Sequence, residues 1–417
     1  MANIKRIIAR EILDSRAHPT VECMVILDDD AVGIFSAPSG ASIGKHEAKE
    51  LRDHDPARLG GLGVLKSLGN IGRVLGPKLI GLDAYDQAGI DKRLIAMDGT
   101  SDKSKLGANT LLAISGAVTK AASISQKIPL YQYIARLSGA ISNQFSLPTP
   151  MFNVLNGGIH GNDNLDFQEF LVVPPRSNAY SQNLRFGLEV YYSLKETIKT
   201  HSGSVLIGDE GGYAPTLYSD ADAFKILEEA VSKAGYNVGL NAFLSVDIAA
   251  NHLKHGNSYK IRDRPVELNP SDLVDFYIAL NEQTHLLSIE DPFSDDDWDQ
   301  WKTLNSKIGN ETLIIGDDLI STNPERLEKA ISEKACGGTI IKPNQIGTIT
   351  ETINVVKIAK KANFKVIVSH RSGETNDDFI ADFAVGIGCD YAKFGAPARG
   401  ERVAKYNRLL EIEHDLS

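Results

Sequence analysis

In the later part of the chain, charged residues follow short apolar runs at a regular interval. The runs lie at 205–207, 242–246, 286–289, 313–315, 339–341, 366–368 and 391–394. Asp209 and Glu210 follow the first and Asp247 the second. Glu290-Asp291, Asp317-Asp318, Lys342 and His370-Arg371 follow the next four, and Lys393 lies within the last. From Glu210 onward the steps are about 23 to 43 residues, roughly one strand–helix unit. A lone charge after a strand is an ordinary cap or loop residue. A series of them carries chemistry if the strands are parallel neighbours, because their C-terminal ends then share one face.

Read this way, Asp247, Glu290 and Asp317 stand on consecutive strands and repel one another. They need a cation between them or raised pKa values. All-oxygen ligands select a hard ion, and Mg²⁺ suits a site with few protein ligands; zinc would call for His or Cys. Lys342, His370, Arg371 and Lys393 make the facing wall basic. A lysine among cations has a lowered pKa and can act as a general base. Arg371 with Ser372 suits a phosphate, by the guanidinium fork. Metal on one side and a base on the other suit proton abstraction beside a carboxylate.

The elements that must place these residues follow from the pattern. Repeated strand–helix units over residues 139–417 predict a (β/α)8 barrel with parallel strands; a doubly wound sheet is the alternative. Residues 1–138 read as a smaller α+β unit, with β-rich runs at 4–13 and 20–28 and an alanine-rich helix over 106–123. The segment 138–150, with two prolines and little periodicity, is the predicted boundary. A net charge of −10 argues against nucleic acid as the partner. The three cysteines, Cys23, Cys336 and Cys389, have no framework or metal spacing and fit free thiols in a reducing compartment. Neither a signal-type segment nor a membrane span is read, so a cytoplasmic protein is expected, with room for a secondary surface pool. SGASIGKHE at 39–47 misses the phosphate-loop spacing, and no nucleophile elbow occurs.

Across nearly its whole length the chain resembles the enolase family. The motifs are DSR at 14–16, SGAS at 39–42, NGGIH at 156–160, QEF at 168–170, GDEGG at 208–212, SIEDPF at 288–293, GDDL at 316–319, IKPNQIGT at 341–348, SHRSGET at 369–375 and KFGAPAR at 393–399. The resemblance implies Mg²⁺-dependent, reversible dehydration of 2-phosphoglycerate to phosphoenolpyruvate, with Asp247, Glu290 and Asp317 on a first Mg²⁺ and Ser42 assisting a second. It implies Lys342 as the base at carbon 2 and Glu210 as the acid at carbon 3, with Glu169 and Gln168 beside it. Lys393 would support the anionic intermediate. His160 and His370 would meet the substrate, and Arg371 and Ser372 its phosphate. It also implies a homodimer or a higher homo-oligomer.

The chain departs from the family pattern in places. Ala17-His18 stand where Gly-Asn is usual, Ile43 follows SGAS in place of Thr, and IAANHL at 248–253 replaces small residues followed by Glu and an aromatic. These departures raise an alternative: a paralogue acting on an analogue of 2-phosphoglycerate, such as a phosphonate. A non-catalytic binding role on the same scaffold is the other; binding alone would not require the full set of chemical groups.

Overall fold

The computed structural model describes residues 1–417 apart from 41–43, 141–143, 162–164, 202–203 and 263. The N-terminal part holds an antiparallel meander of β1 (Ile4–Leu13), β2 (Pro19–Leu27) and β3 (Val32–Ser36). The period-two pattern of β2 sends Val21, Cys23, Val25 and Leu27 fully inward. They lie against the helix Ala108–Ser125, which is buried around most of its circumference. Its alanine content suits that position, since small side chains let a helix sit close to a sheet. The runs at 4–13 and 20–28 are thus strands and the alanine-rich segment is a helix, as the sequence suggests.

Residues beyond 148 build the second sheet. Its strands are β4 (Thr149–Pro150), β5 (Phe152–Asn156), β6 (Glu169–Val173), β7 (Phe243–Asp247), β10 (Ser288–Glu290), β11 (Leu313–Gly316), β12 (Gly338–Ile341), β13 (Lys365–Ser369) and β14 (Tyr391–Lys393). A short hairpin, β8 (Lys254–His255) and β9 (Ser258–Tyr259), stands apart from it. The order is β4-β14-β13-β12-β11-β10-β7-β6-β5. Its two ends, β4 and β5, are successive pieces of one stretch of chain, so the sheet closes on itself as an α/β barrel of the TIM type. Helices such as Pro270–Thr284 and Ile349–Lys361 connect the strands.

Two expectations need correction. The run at 205–207 is not a barrel strand. Only Ile207 makes a bridge, to Tyr213, and Leu206 is 75% exposed. The place it was expected to fill belongs to β5 and β6, whose pairing is antiparallel. β6 also runs antiparallel to β7, so the barrel is not wholly parallel. A short apolar run has the same composition in either direction, and periodicity says nothing about strand sense.

Alternation inside the barrel places the chemistry. Met151, Leu171, Val173, Ile315, Ile340, Ile367 and Tyr391 form a separate apolar cluster that plugs its interior. Side chains two residues apart on a strand share a face. One step of two toward the mouth leads from Ile315 to Asp317, from Ile340 to Lys342 and from Tyr391 to Lys393. The same step leads from Met151 to Asn153. On reversed β6 it runs the other way along the chain, from Leu171 back to Glu169.

The N-terminal part meets this mouth. Ser39 and Gly373 exchange backbone hydrogen bonds of 2.8 and 2.9 Å, and the Ser15 amide donates to Glu374 O at 2.7 Å. The turn 14–18 is organised by Asp14, whose carboxylate accepts from the Arg16 and His18 amides and from Ser39 Oγ. Within that turn Ala17 has φ 59°, a left-handed conformation that costs an L side chain about 1–2 kcal/mol. Ala17→Gly is therefore expected to raise stability by about 1 kcal/mol, measured as the shift in a denaturant midpoint at constant slope. An unchanged or lower midpoint would show that the turn carries no such strain.

Candidate active site

The barrel mouth opens into a cavity of about 320 Å³. Its wall includes His160, Gln168, Glu169, Glu210, Asp247, Asp317, Lys342, His370, Arg371, Ser372 and Lys393. Of the residues singled out from sequence, Glu290 is not on this wall, being buried beside it (1% exposed). Ser42 and Ile43 lie outside the described residues.

Lys393 is the hub. Its ammonium is buried and lies 2.8 Å from Glu290, 2.9 Å from Asp247 and 3.2 Å from Glu169. Burial alone would push its pKa down, but these carboxylates hold it well above the ordinary lysine range. The register explains why they meet, since Asp247 pairs with Glu290 on β10 and with Glu169 on β6. Lys342 donates to Asp317. Burial works against that ammonium too, yet Asp317 keeps it above its ordinary value. The lowered Lys342 pKa expected from sequence is thus not what the resting geometry produces. The basic neighbours Arg371 and Lys393 do depress it, but the contact with Asp317 outweighs them.

The acidic groups divide into two sets. Asp291, Asp317 and Asp318 have oxygens within 4.8 Å of one another. Asp291, however, is committed to backbone, accepting from the Asp317 and Asp318 amides at 2.9 and 2.7 Å. Asp247, Glu290 and Asp317 are instead compensated by lysine ammoniums. Glu290 Oε2 is buried and, among the described residues, has no hydrogen-bond partner. Burial and the neighbouring Asp247 raise the Glu290 pKa well above the carboxylate range. An orphaned, buried carboxylate oxygen beside two more acidic strand ends fits a hard cation.

Across the cavity, His160, Glu169 and Glu210 bring ligand atoms within 4.8 Å of one another. Glu210 sits in the turn 208–212, where Asn153 Nδ2 donates to its Oε2 at 2.9 Å. Two buried carboxylates this close share a proton. Burial, then the charge of Glu210, pushes Glu169 well above the usual range. Burial also opposes ionisation of Glu210, but His160 and His370 hold it well below. Glu169 is therefore the protonated member at rest. Burial pushes His370 down to about 4, so its ring is neutral. Gly395 makes room here: a Cβ on it would come within 2.8 Å of Glu210 O and 2.9 Å of the His370 ring.

Residues 144–417 match the family model for the enolase C-terminal TIM barrel domain, and residues 4–134 match that for the enolase N-terminal domain. The chain belongs to the enolase family. The family's enzymes are metal-dependent and of lyase type, which agrees with an acidic cluster facing a lysine and a carboxylate pair. Among the described residues, no helix is long and apolar enough to cross a membrane.

Several wall or supporting residues of this enolase-family site escaped the sequence reading. Glu47 pairs with Arg371 at 2.8 and 3.2 Å, and Asn344 Oδ1 accepts from the same guanidinium at 3.1 Å. Asn153 could have been found from its place two residues beyond Met151, had β5 been recognised. Asn251 and His252 stand on the wall; they were noted only as departures from the family pattern.

Replacing Lys393 by Met leaves Asp247, Glu169 and Glu290 without their shared cation. Removing one partner of a buried ionic group costs about 3–5 kcal/mol, and a loss of that size is expected in urea denaturation with chelator present. A loss below about 1 kcal/mol would show that the carboxylates are not charged in the folded state.

Proposed function

We propose that this protein catalyses the reversible, Mg²⁺-dependent dehydration of 2-phosphoglycerate to phosphoenolpyruvate. The observation that carries the reading is that Lys342 and the Glu169–Glu210 pair border the same small cavity, with Asp317 and Arg371 on its wall. A base and an acid at one cavity suit an elimination, in which one bond to hydrogen and one to oxygen must break on adjacent carbons.

Asp247, Glu290 and Asp317 would hold the cation, whose charge, when bound, offsets the negative charge building on a substrate carboxylate and competes with Lys342 for Asp317. Lys342 would take the proton from carbon 2; its contact with Asp317 is what raises its pKa, and a cation held by Asp317 would weaken that contact. Lys393 remains beside Asp247 and Glu290 and adds positive charge where the anion forms. Glu210, ionised at rest, takes the proton held by Glu169 and passes it to the departing hydroxide at carbon 3, which leaves as water. Arg371 and Ser372 bind the phosphate. Ser42 is assigned to a second Mg²⁺ through the SGAS motif alone.

The expected assay result is ultraviolet absorbance of the enol product appearing with 2-phosphoglycerate and Mg²⁺, and vanishing with chelator. No product at high enzyme concentration would overturn the reading. Two variants separate the half-reactions. Lys342→Ala should abolish hydrogen exchange at carbon 2. Glu210→Gln should keep that exchange while lowering kcat for dehydration about 10²–10⁴-fold. Exchange that survives in Lys342→Ala would remove the base role.

One observation supports a second reading. Asn251 and His252, two of the departures from the family pattern, stand on the cavity wall, so they can affect which ligand fits. A paralogue acting on a phosphonate analogue would then turn over that analogue with higher kcat/KM than 2-phosphoglycerate. A substrate panel decides between the two.

A further inference from the structure

Arg402 is fully buried on the helix Gly400–Leu416, and no step above uses it. Its four terminal N–H protons are all spent. Nη1 donates to His370 Nδ1 at 2.8 Å and to Arg371 O at 2.5 Å. Nη2 donates to Ser372 O at 2.6 Å and to Asp209 O at 3.3 Å. A guanidinium has donors only, and it does not lose its proton in a protein. The ring nitrogen it meets must therefore be an acceptor. His370 Nδ1 carries a lone pair, and the single proton of the neutral ring sits on Nε2.

That nitrogen points to the acid pair. His370 Nε2 lies 3.3 Å from Glu210 Oε2 and is buried, and it makes no aligned hydrogen bond with the described residues. In the other tautomer a lone pair would face the Glu210 carboxylate and an N–H would face a guanidinium N–H, both repulsive. An N–H beside a carboxylate favours its charged form, which is the form Glu210 has at rest and returns to once it has passed on a proton taken from Glu169.

We propose that Arg402 is a positioning residue: by donating to Nδ1 it locks His370 as the Nε2–H tautomer, so that this N–H stabilises Glu210 as its proton leaves. This rests on the reading of Glu210 as the acid. Its structural half, the tautomer, can be tested without that reading.

The test begins with the full-length protein labelled with ¹⁵N in its histidines, using long-range proton–nitrogen correlation at neutral pH. His370 is assigned by its loss in His370→Gln. The expected pattern is a neutral ring protonated on Nε2. An Nδ1–H ring or a doubly protonated one overturns the proposal outright, and this measurement needs no Arg402 variant to fold. In folded Arg402→Gln, a side chain that can accept as well as donate, the tautomers should mix. There kcat for dehydration should fall about 10-fold or more while KM stays within about 2-fold. A fall in kcat with the Nε2–H tautomer intact would mean that Arg402 acts through packing alone, and the proposal fails. If the wild-type ring is Nε2–H but the protein does not dehydrate 2-phosphoglycerate, the functional reading falls and the positioning role stands.

Discussion

The contact between the Lys393 ammonium and the carboxylates of Asp247, Glu169 and Glu290 is the constraint around which the barrel mouth is organised. Three acidic groups this deeply buried could not all ionise side by side: Glu169 keeps its proton, and the remaining charge needs a cation. One cation among them ties β6, β7, β10 and β14 together at their functional ends. It also leaves Glu290 Oε2 unpartnered, so the cluster is held together without being satisfied. The missing satisfaction is the part that a divalent cation would supply, which makes the site both stable at rest and ready to bind.

The same compensation explains the two lysines' different roles. Lys393 is surrounded by three carboxyl groups, from Glu169, Asp247 and Glu290. Lys342 is held chiefly by Asp317, with Glu290 contributing more weakly, and Asp317 is also a proposed metal ligand. Its basicity thus depends mainly on where the charge of one residue, Asp317, is spent, whereas that of Lys393 is spread over several carboxyl groups. On the proposed reading, a filled cation site would make Lys342 a better base and so couple proton abstraction to binding.

Much of this was legible in the chain. Six of the seven apolar runs are barrel strands, and their terminal charges do converge, because a parallel βα repeat leaves few other options. What was not legible has a common cause. Neither β5 nor β6 stands among the apolar runs, and strand sense is invisible to periodicity, so the reversal of β6 is not readable from the sequence. With it went the reason why Glu169, at the beginning of its strand, stands level with Asp247, at the end of its own. The run at 205–207 has strand composition but serves the turn that carries Glu210. The protonation of Lys342 depends on one contact with Asp317, and no spacing in the sequence encodes which of several neighbours a lysine will choose. Glu47 and Arg402 were hidden for the same reason, since both act on residues more than 30 positions away.

Glu47 shows why the N-terminal part belongs to the site. Its two oxygens take both terminal nitrogens of Arg371, one of them also accepts from the Gly44 amide, and Asn344 accepts a further N–H. That end of the fork is engaged by Glu47 and Asn344. The arginine is therefore aimed as well as charged, and it is aimed by a residue that directly follows the segment after Ser39, which is itself paired to Gly373. Both flanks of 41–43 are in this way tied to the segment 371–373, the first by backbone and the second by a carboxylate. On the proposed reading, the N-terminal part helps to hold the phosphate-binding arginine, while the barrel carries the base and the acid pair. Substrate choice is then divided between two parts of the fold, which leaves room for departures such as Asn251 and His252 to alter the ligand without disturbing the base, the acid pair or the cation ligands.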